Sequence, residues 1–246
     1  MPDFPAPLIE ALRSARRVAV LTGAGISAES GIPTFRDAQS GLWARFRAED
    51  LATVAAFERD PQLVWDWYAM RRELVAAAAP NPGHVALAAL AGRVPELTLI
   101  TQNVDGLHQQ AGSPEVLELH GNLGRVKCFA EGQVVPEAEW VLGGGVPRCP
   151  RCNALLRPDV VWFGEMLPAA TFRRAERACR EAEIVFSVGT SGLVPPAATL
   201  PVTAIESGAI GVEVNLEATY LGELFDYGLY GPSGAILPAL VAAAWG

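Results

Sequence analysis

The sequence is poor in the features that mark secreted, membrane-spanning and nucleic-acid-binding chains. Its opening, MPDFPAPLIEALRSARR, has neither the basic start nor the apolar run of a secretory signal. No apolar run reaches the roughly 18 residues that a membrane-crossing helix needs. Basic residues are outnumbered, 19 against 27 acidic, for a net charge of −8. That balance argues against a broad phosphate-binding face for nucleic acid, while a local basic pocket needs only a few residues. There is no tandem repeat and no long low-complexity tract. Cysteine is scarce: Cys128, Cys149, Cys152 and Cys179 are the four. Without a signal, a metal site or reduced thiols are expected in place of a disulfide framework, and with them a cytoplasmic location. What is abundant is apolar surface. With 50% hydrophobic residues over 246 positions, the chain can bury the core of one large domain, with or without a small insertion.

Four segments share one grammar, an apolar strand followed by small and polar residues. They are VAVLTGAG (18–25), LTLITQNVDG (97–106), AEIVFSVGTSG (182–192) and AIGVEVNLE (209–217). Helical stretches precede or separate them: 7–15, 61–79, 83–92 and 168–183. Continuous apolar strands alternating with helices predict an α/β fold, a Rossmann-like parallel sheet with helices on both faces. In such sheets ligands bind beyond the carboxyl ends of the strands, where all four polar tails fall. Residues 126–160 break the pattern with glycines, prolines and three cysteines. They read as a small inserted lobe, leaving 1–125 and 161–246 as the main domain. The helical part of the small domain is expected from 37–80.

GAGISA (23–28) fits G-x-G-x-x-A after a strand, so Gly23, Ala24, Gly25 and Ile26 let backbone N–H groups approach a phosphate ahead of a helix start. Glycine at that turn also serves packing in many α/β proteins. A dehydrogenase would continue into a second strand ending in an acidic residue, but ESGIPTFRDAQSGLW (29–43) is a loop. Hydride transfer is therefore disfavoured. In that loop Arg36 is placed to meet a phosphate and Phe35 to cover a reacting sugar.

TGAGISAESGIPTFR (22–36), TQNVDGLHQQAG (101–112), ELHGN (118–122), VVWFGE (160–165), GTSG (189–192) and NLE (215–217) together resemble the motif set of the sirtuins, in the family's order and over nearly the whole chain. The resemblance implies an NAD-consuming protein-lysine deacylase. In that chemistry the acyl-lysine oxygen attacks the ribose carbon bearing nicotinamide, nicotinamide leaves, and the acyl group ends on ADP-ribose. It implies His120 as general base, a role that a near-neutral imidazole before a glycine suits. His84 reads as capping or packing a helix, and His108 as a structural histidine. Gln102, Asn103 and Asp105 are expected to hold ribose and nicotinamide, with Asn103 and Asp105 assisting catalysis; strand-end capping is the plain alternative. Gly189, Thr190, Ser191, Asn215, Leu216 and Glu217 are implied nucleotide contacts, and Ser233 is a weaker candidate near the adenine.

The VVWFGE stretch is expected to offer a strand-like edge, through Val161, Phe163, Gly164 and Glu165, to an extended acyl-lysine peptide. Gly192, Leu193 and Val194 would form the other side. WDWYAMRREL (65–74) puts Tyr68 and Arg71 three apart, on one side of a helix. A desolvated arginine is unfavourable without an anion, whereas a malonyl or succinyl group would bring one. The resemblance implies that the Tyr-x-x-Arg pair marks a sirtuin class that removes acidic acyl groups, with small residues at Ala48 and Ala52 widening the pocket.

Cys149-Pro-Arg-Cys152 is a C-x-x-C knuckle, and Cys128 precedes it by 21 residues. A tetrahedral zinc site normally uses two such pairs. The family pattern has a further cysteine three after the first, and here that position is Glu131. Cys128, Glu131, Cys149 and Cys152 are the expected ligands of a structural zinc in a zinc-ribbon-like lobe, the alternative being a lobe that holds the metal weakly or folds without it; Cys179 reads as a packed thiol. Competing readings are a general lysine deacetylase, an ADP-ribosyltransferase, and a non-enzymatic NAD-sensing, peptide-binding module.

Overall fold

The computed structural model describes residues 4–33 and 48–246. Six parallel strands form one sheet in the order β3-β2-β1-β6-β7-β8. They are β1 (Arg17–Thr22), β2 (Glu96–Thr101), β3 (Val116–Glu118), β6 (Ile184–Val188), β7 (Ile210–Asn215) and β8 (Tyr227–Tyr230). The four expected strands are all present. Their continuous hydrophobicity follows from burial on both faces, with alternate side chains serving opposite cores. On β1, Val18 and Val20 pack with Leu8 and Leu12 of α1 (Ala6–Ser14), Leu87 and Leu90 of α5 (Pro82–Ala91) and Leu237 and Leu240 of α9 (Ser233–Trp245). Ala19 and Leu21 turn the other way, toward Ala175 and Cys179 of α7 (Ala169–Glu181) and Leu200 and Ala204 of α8 (Thr199–Glu206). Cys179 is thus a packed thiol, and burial pushes it up to about 12.

A second body of apolar packing joins α2 (Ala48–Leu51), α3 (Val54–Arg59) and α4 (Pro61–Ala77) to the antiparallel pair β4 (Gly121–Cys128) and β5 (Leu156–Val160). A side-chain cap starts α4, because Asp60 accepts from the Leu63 N–H and Pro61 occupies the first turn. Phe57, Tyr68 and Trp162 fill its centre. The lobe enters through Gly121, whose φ of +81° and close approach to the Asp159 carbonyl leave no room for a side chain. The two connections run side by side, since the Val161 N–H donates to the His120 carbonyl at 2.9 Å.

Two details go beyond the expected pattern. The regular strand through VVWFGE ends at Val160, after which Phe163 makes an isolated parallel bridge with Thr53 before the chain turns at Gly164 and Glu165. The GAGISA turn leads into a seven-residue 3-10 helix (Ala24–Ser30) rather than an α-helix. No single helix among the described residues is long and apolar enough to cross a membrane.

Candidate active site

Strand order reverses between β1 and β6, and a crevice opens at such a switch point beyond the strand ends. The turns after these two strands meet backbone to backbone. Gly23 donates to the Val188 carbonyl at 2.9 Å and Gly25 to the Gly189 carbonyl at 2.7 Å. A Cβ on Gly25 or Gly189 would strike the other turn, so both positions need glycine sterically. Thr190 is fixed from two sides: Gln102 Nε2 donates to its hydroxyl at 3.0 Å and Asn215 Nδ2 to its carbonyl at 3.0 Å. Gly189, Thr190 and Asn215 therefore sit together with Gln102, as the sequence motifs require. Ser191 follows in the same turn. Leu216 and Glu217 are exposed past the end of β7. Ser233 lies at the start of α9, where its hydroxyl and the Gly234 N–H both donate to Glu29. Phe35 and Arg36 fall outside the described residues.

Beyond β2 the chain turns inward. Asn103 and Asp105 are buried. Asn103 Nδ2 donates to the Gly23 carbonyl and to Ser27 Oγ, both at 3.1 Å. Ser27 Oγ in turn donates to Asp105 Oδ2 at 2.7 Å, while Asp105 Oδ1 accepts from the Leu107 N–H. Ser27 is the junction that sequence reading passed over, although it stands inside the glycine motif. His84 backs it. The Asn81 N–H donates to His84 Nδ1, closing the capping box of α5, which leaves Nε2–H to face Ser27 Oγ at 3.4 Å. The helix-capping role read for His84 is therefore present.

His108 is less comfortable. Thr22 donates its hydroxyl proton to Thr101 Oγ1, so its oxygen accepts from His108 Nε2–H at 2.9 Å. Nδ1 then carries a lone pair, buried and with no partner among the described residues. Burial, then the neighbouring His84 ring 4.8 Å away, push the His108 pKa down to about 3. His108 is a neutral imidazole at any physiological pH.

His120 differs from both. Its Nδ1 lies 2.9 Å from the Gln102 carbonyl, which can only accept, so Nδ1 carries the proton and Nε2 the lone pair. Burial pulls its pKa below the ordinary histidine value, and the bond to Gln102 only partly offsets this. The result is an oriented imidazole base. Next to it, beyond Val161, the Trp162 indole N–H donates to the Tyr68 hydroxyl at 3.0 Å. Ala52 joins the same cluster, and its carbonyl accepts from the Phe163 N–H at 2.9 Å. Phe163 and Gly164 are exposed, as are Leu193 and Val194. Glu165 points back and holds Arg157 through both carboxylate oxygens. Arg71, half-buried, lies 4.8 Å above the Trp67 ring and 5.6 Å from that of Tyr68. Burial lowers its pKa, and among the described residues no carboxylate stands within ion-pair distance of it. Ala48 opens α2.

In the lobe, ligand atoms of Cys128, Glu131, Cys149 and Cys152 lie within 4.8 Å of one another, and the Sγ atoms of Cys128 and Cys152 are 3.4 Å apart. Tight turns shape both halves: Gly132 donates to the Cys128 carbonyl and Asn153, at φ +59°, to that of Cys149. N–H groups of Cys152 and Arg151 bring the Cys149 thiol down to about 7, while at Cys152 the Ala154 N–H is outweighed by the neighbouring Cys128 and Cys149 sulfurs, which push that thiol up to about 11: the sulfurs share their protons as one crowded group. Glu131 also pairs with Arg151 at 3.4 Å. Three soft sulfurs and one carboxylate, mutually close and built on turns, fit tetrahedral zinc.

A parallel sheet with paired glycine turns at its switch point, a cluster of fixed amides and one oriented imidazole defines a nucleotide-binding α/β protein. The Sir2 family profile matches residues 23–196. An NAD-dependent protein deacylase of Ralstonia nicotianae is 52% identical over 231 residues, covering 94% of this chain and 93% of that protein. Among solved structures, a Sir2 homolog–NAD complex superposes with a TM-score of 0.90 at 42% identity, over 98% of this chain and 94% of that one. A Sir2–p53 peptide–NAD+ complex matches with a TM-score of 0.83 at 32% identity, over 96% and 97%. The chain belongs to the Sir2 family.

Proposed function

We propose that the protein is an NAD-dependent protein-lysine deacylase whose preferred substrates carry acidic acyl groups, succinyl or malonyl, with weaker deacetylation, and that it acts in the cytoplasm. When bound, NAD supplies an electrophilic ribose carbon with nicotinamide as its leaving group. The residues fit that role. The Gly23–Gly25 and Gly189–Thr190 turns offer close backbone approach, and Gln102, Asn103 and Asp105 present amide and carboxylate groups beside them. Ser27 and His84 hold Asn103 and Asp105 in place. His120 accepts a proton from a ribose hydroxyl at Nε2, since its other nitrogen is committed to Gln102. Phe163 and Gly164 on one side, and Gly192, Leu193 and Val194 on the other, flank the path of an acyl-lysine peptide. Zinc, held by Cys128, Cys149, Cys152 and Glu131, would brace the lobe and take no part in the reaction.

The acidic preference rests on one observation. Arg71 is a half-buried guanidinium over the Trp67 and Tyr68 rings, and a carboxylate at the tip of an acyl chain would supply a counter-charge that no described residue provides. An acetyl group offers it nothing. The test is nicotinamide release from acetyl-, malonyl-, succinyl- and glutaryl-lysine peptides by the wild type and Arg71→Met. Loss of a charged hydrogen bond costs about 2 kcal/mol, so the succinyl-to-acetyl ratio of kcat/KM should fall about thirtyfold. An unchanged ratio in the variant would reject the acidic preference.

A further inference from the structure

The sequence motifs draw attention to Tyr68 and Arg71, yet the most heavily constrained residue near them is Trp162. It is 2% exposed. Behind it lies Arg157, itself 3% exposed, with its guanidinium carbon 3.3 Å from the indole ring centroid. Arg157 gives Nη1 and Nη2 to the two carboxylate oxygens of Glu165, at 2.6 and 2.9 Å, and Nη2 also to the Val160 carbonyl at 2.8 Å. Glu165 further accepts from the Trp162 backbone N–H at 2.8 Å. Burial pushes the Glu165 carboxyl up, but these donors outweigh it and hold it below the ordinary carboxylate range. The ion pair thus clamps the turn 160–165 from inside and fixes the plane of the indole.

The consequence reaches Tyr68 through the direction of one hydrogen bond. An indole N–H can only donate, so the phenol oxygen of Tyr68 must accept from Trp162. Its own proton is therefore directed elsewhere. Arg71, the nearest charged neighbour, has no acceptor to offer. Among the described residues the hydroxyl proton has no acceptor. The phenol is free to donate that proton to a bound ligand.

We propose that Trp162, held by the Arg157–Glu165 ion pair, is a positioning residue that sets the Tyr68 hydroxyl as a hydrogen-bond donor to the carboxylate of an acidic acyl-lysine. The inference rests on the acidic-acyl reading above and adds the element that orients its recognition group. Trp162 acts through Tyr68 and touches no reacting atom. Arg157 and Glu165 act one step further back, by keeping the indole in place.

The experiment is a double-mutant cycle on the ratio of kcat/KM for succinyl- and acetyl-lysine forms of one peptide, in wild type, Trp162→Phe, Tyr68→Phe and the double variant. Loss of one hydrogen bond should lower the ratio about fivefold in each single variant. The double variant should be no worse than Tyr68→Phe alone, because the indole has nothing left to orient. A Trp162→Phe loss shared equally by both peptides, or one that persists in full on the Tyr68→Phe background, overturns the positioning role. If Trp162→Phe does not fold, judged by its melting transition, Glu165→Gln replaces it in the same cycle with the same expected non-additivity. A wild type with no succinyl preference, or one whose ratio is indifferent to Tyr68→Phe and Arg71→Met, removes the acidic-acyl reading and this proposal with it. A ratio that responds to Tyr68 and Arg71 but adds with Trp162 removes this proposal alone.

Discussion

Replacing His108 with glutamine removes a buried titrating group while keeping a polar atom within reach of Thr22. In the folded protein the His108 pKa is about 3, against 6.5 for an ordinary histidine, first because the ring is buried and second because His84 lies beside it. The tautomer gives a further reason. Protonation would place an N–H at Nδ1, where the described residues provide no acceptor. The folded value lies below the unfolded one, so unfolding takes up a proton throughout the window from about 6.5 down to about 3. The stability contributed by keeping His108 neutral is complete above that window and is lost as the pH falls through it. With these two values the loss between pH 8 and pH 5 is about 2 kcal/mol, with a slope near pH 5 of roughly 1.4 kcal/mol per pH unit. Other ionisable groups also titrate over this range, so the measurement is a difference. Urea unfolding of wild type and His108→Gln at pH 5, 6, 7 and 8 should show the wild type's advantage shrinking by about 2 kcal/mol toward pH 5. A gap constant within about 0.5 kcal/mol across the series would refute both the buried neutral ring and its orphaned nitrogen.

Two further outcomes are expected. The wild-type kcat/KM for nicotinamide release should stay level from pH 8 down to the ordinary histidine range and fall only below it, because burial lowers the His120 pKa and keeps Nε2 available; a fall beginning above pH 7 would contradict that. Glu131→Cys should hold zinc on the order of tenfold more tightly in competition with a chromophoric chelator, since a thiolate replaces a carboxylate that Arg151 also engages; equal or weaker retention would remove Glu131 from the ligand set.

The main sheet was legible because burial on both faces leaves a signature that neighbours do not alter: β1, β2, β6 and β7 are apolar runs wherever they are placed. α8 and α9 were not. TLPVTAIE carries β-branched residues and a proline, and SGAILPALVAAAW is apolar all round with Pro238 inside, so neither shows an amphipathic period. β8 is four residues at the sheet edge with only Leu229 buried, recognised by pairing with β7. In the site, the residues with a motif around them were readable, among them His120 and Asn103. Ser27, Arg157 and Trp162 were not singled out, because their importance lies in hydrogen-bond direction. That Ser27 accepts from Asn103 and donates to Asp105, or that Trp162 obliges Tyr68 to point its proton outward, depends on contacts across as many as 94 positions of sequence.

The paired crossings into the lobe bear on how the enzyme would move. Gly121 faces Val160 across the β4–β5 ladder, and the His120 carbonyl is bonded to the Val161 N–H, so the exit and return of the chain act as a single hinge. A swing of the lobe against the sheet must bend this joint together with the connections that flank α2–α4, whose helices pack into the same body. The imidazole and the Trp162 turn stand on either side of it. Opening and closing would therefore carry the His120 imidazole and the Trp162 turn together, their mutual spacing preserved while their distance from the glycine turns changes.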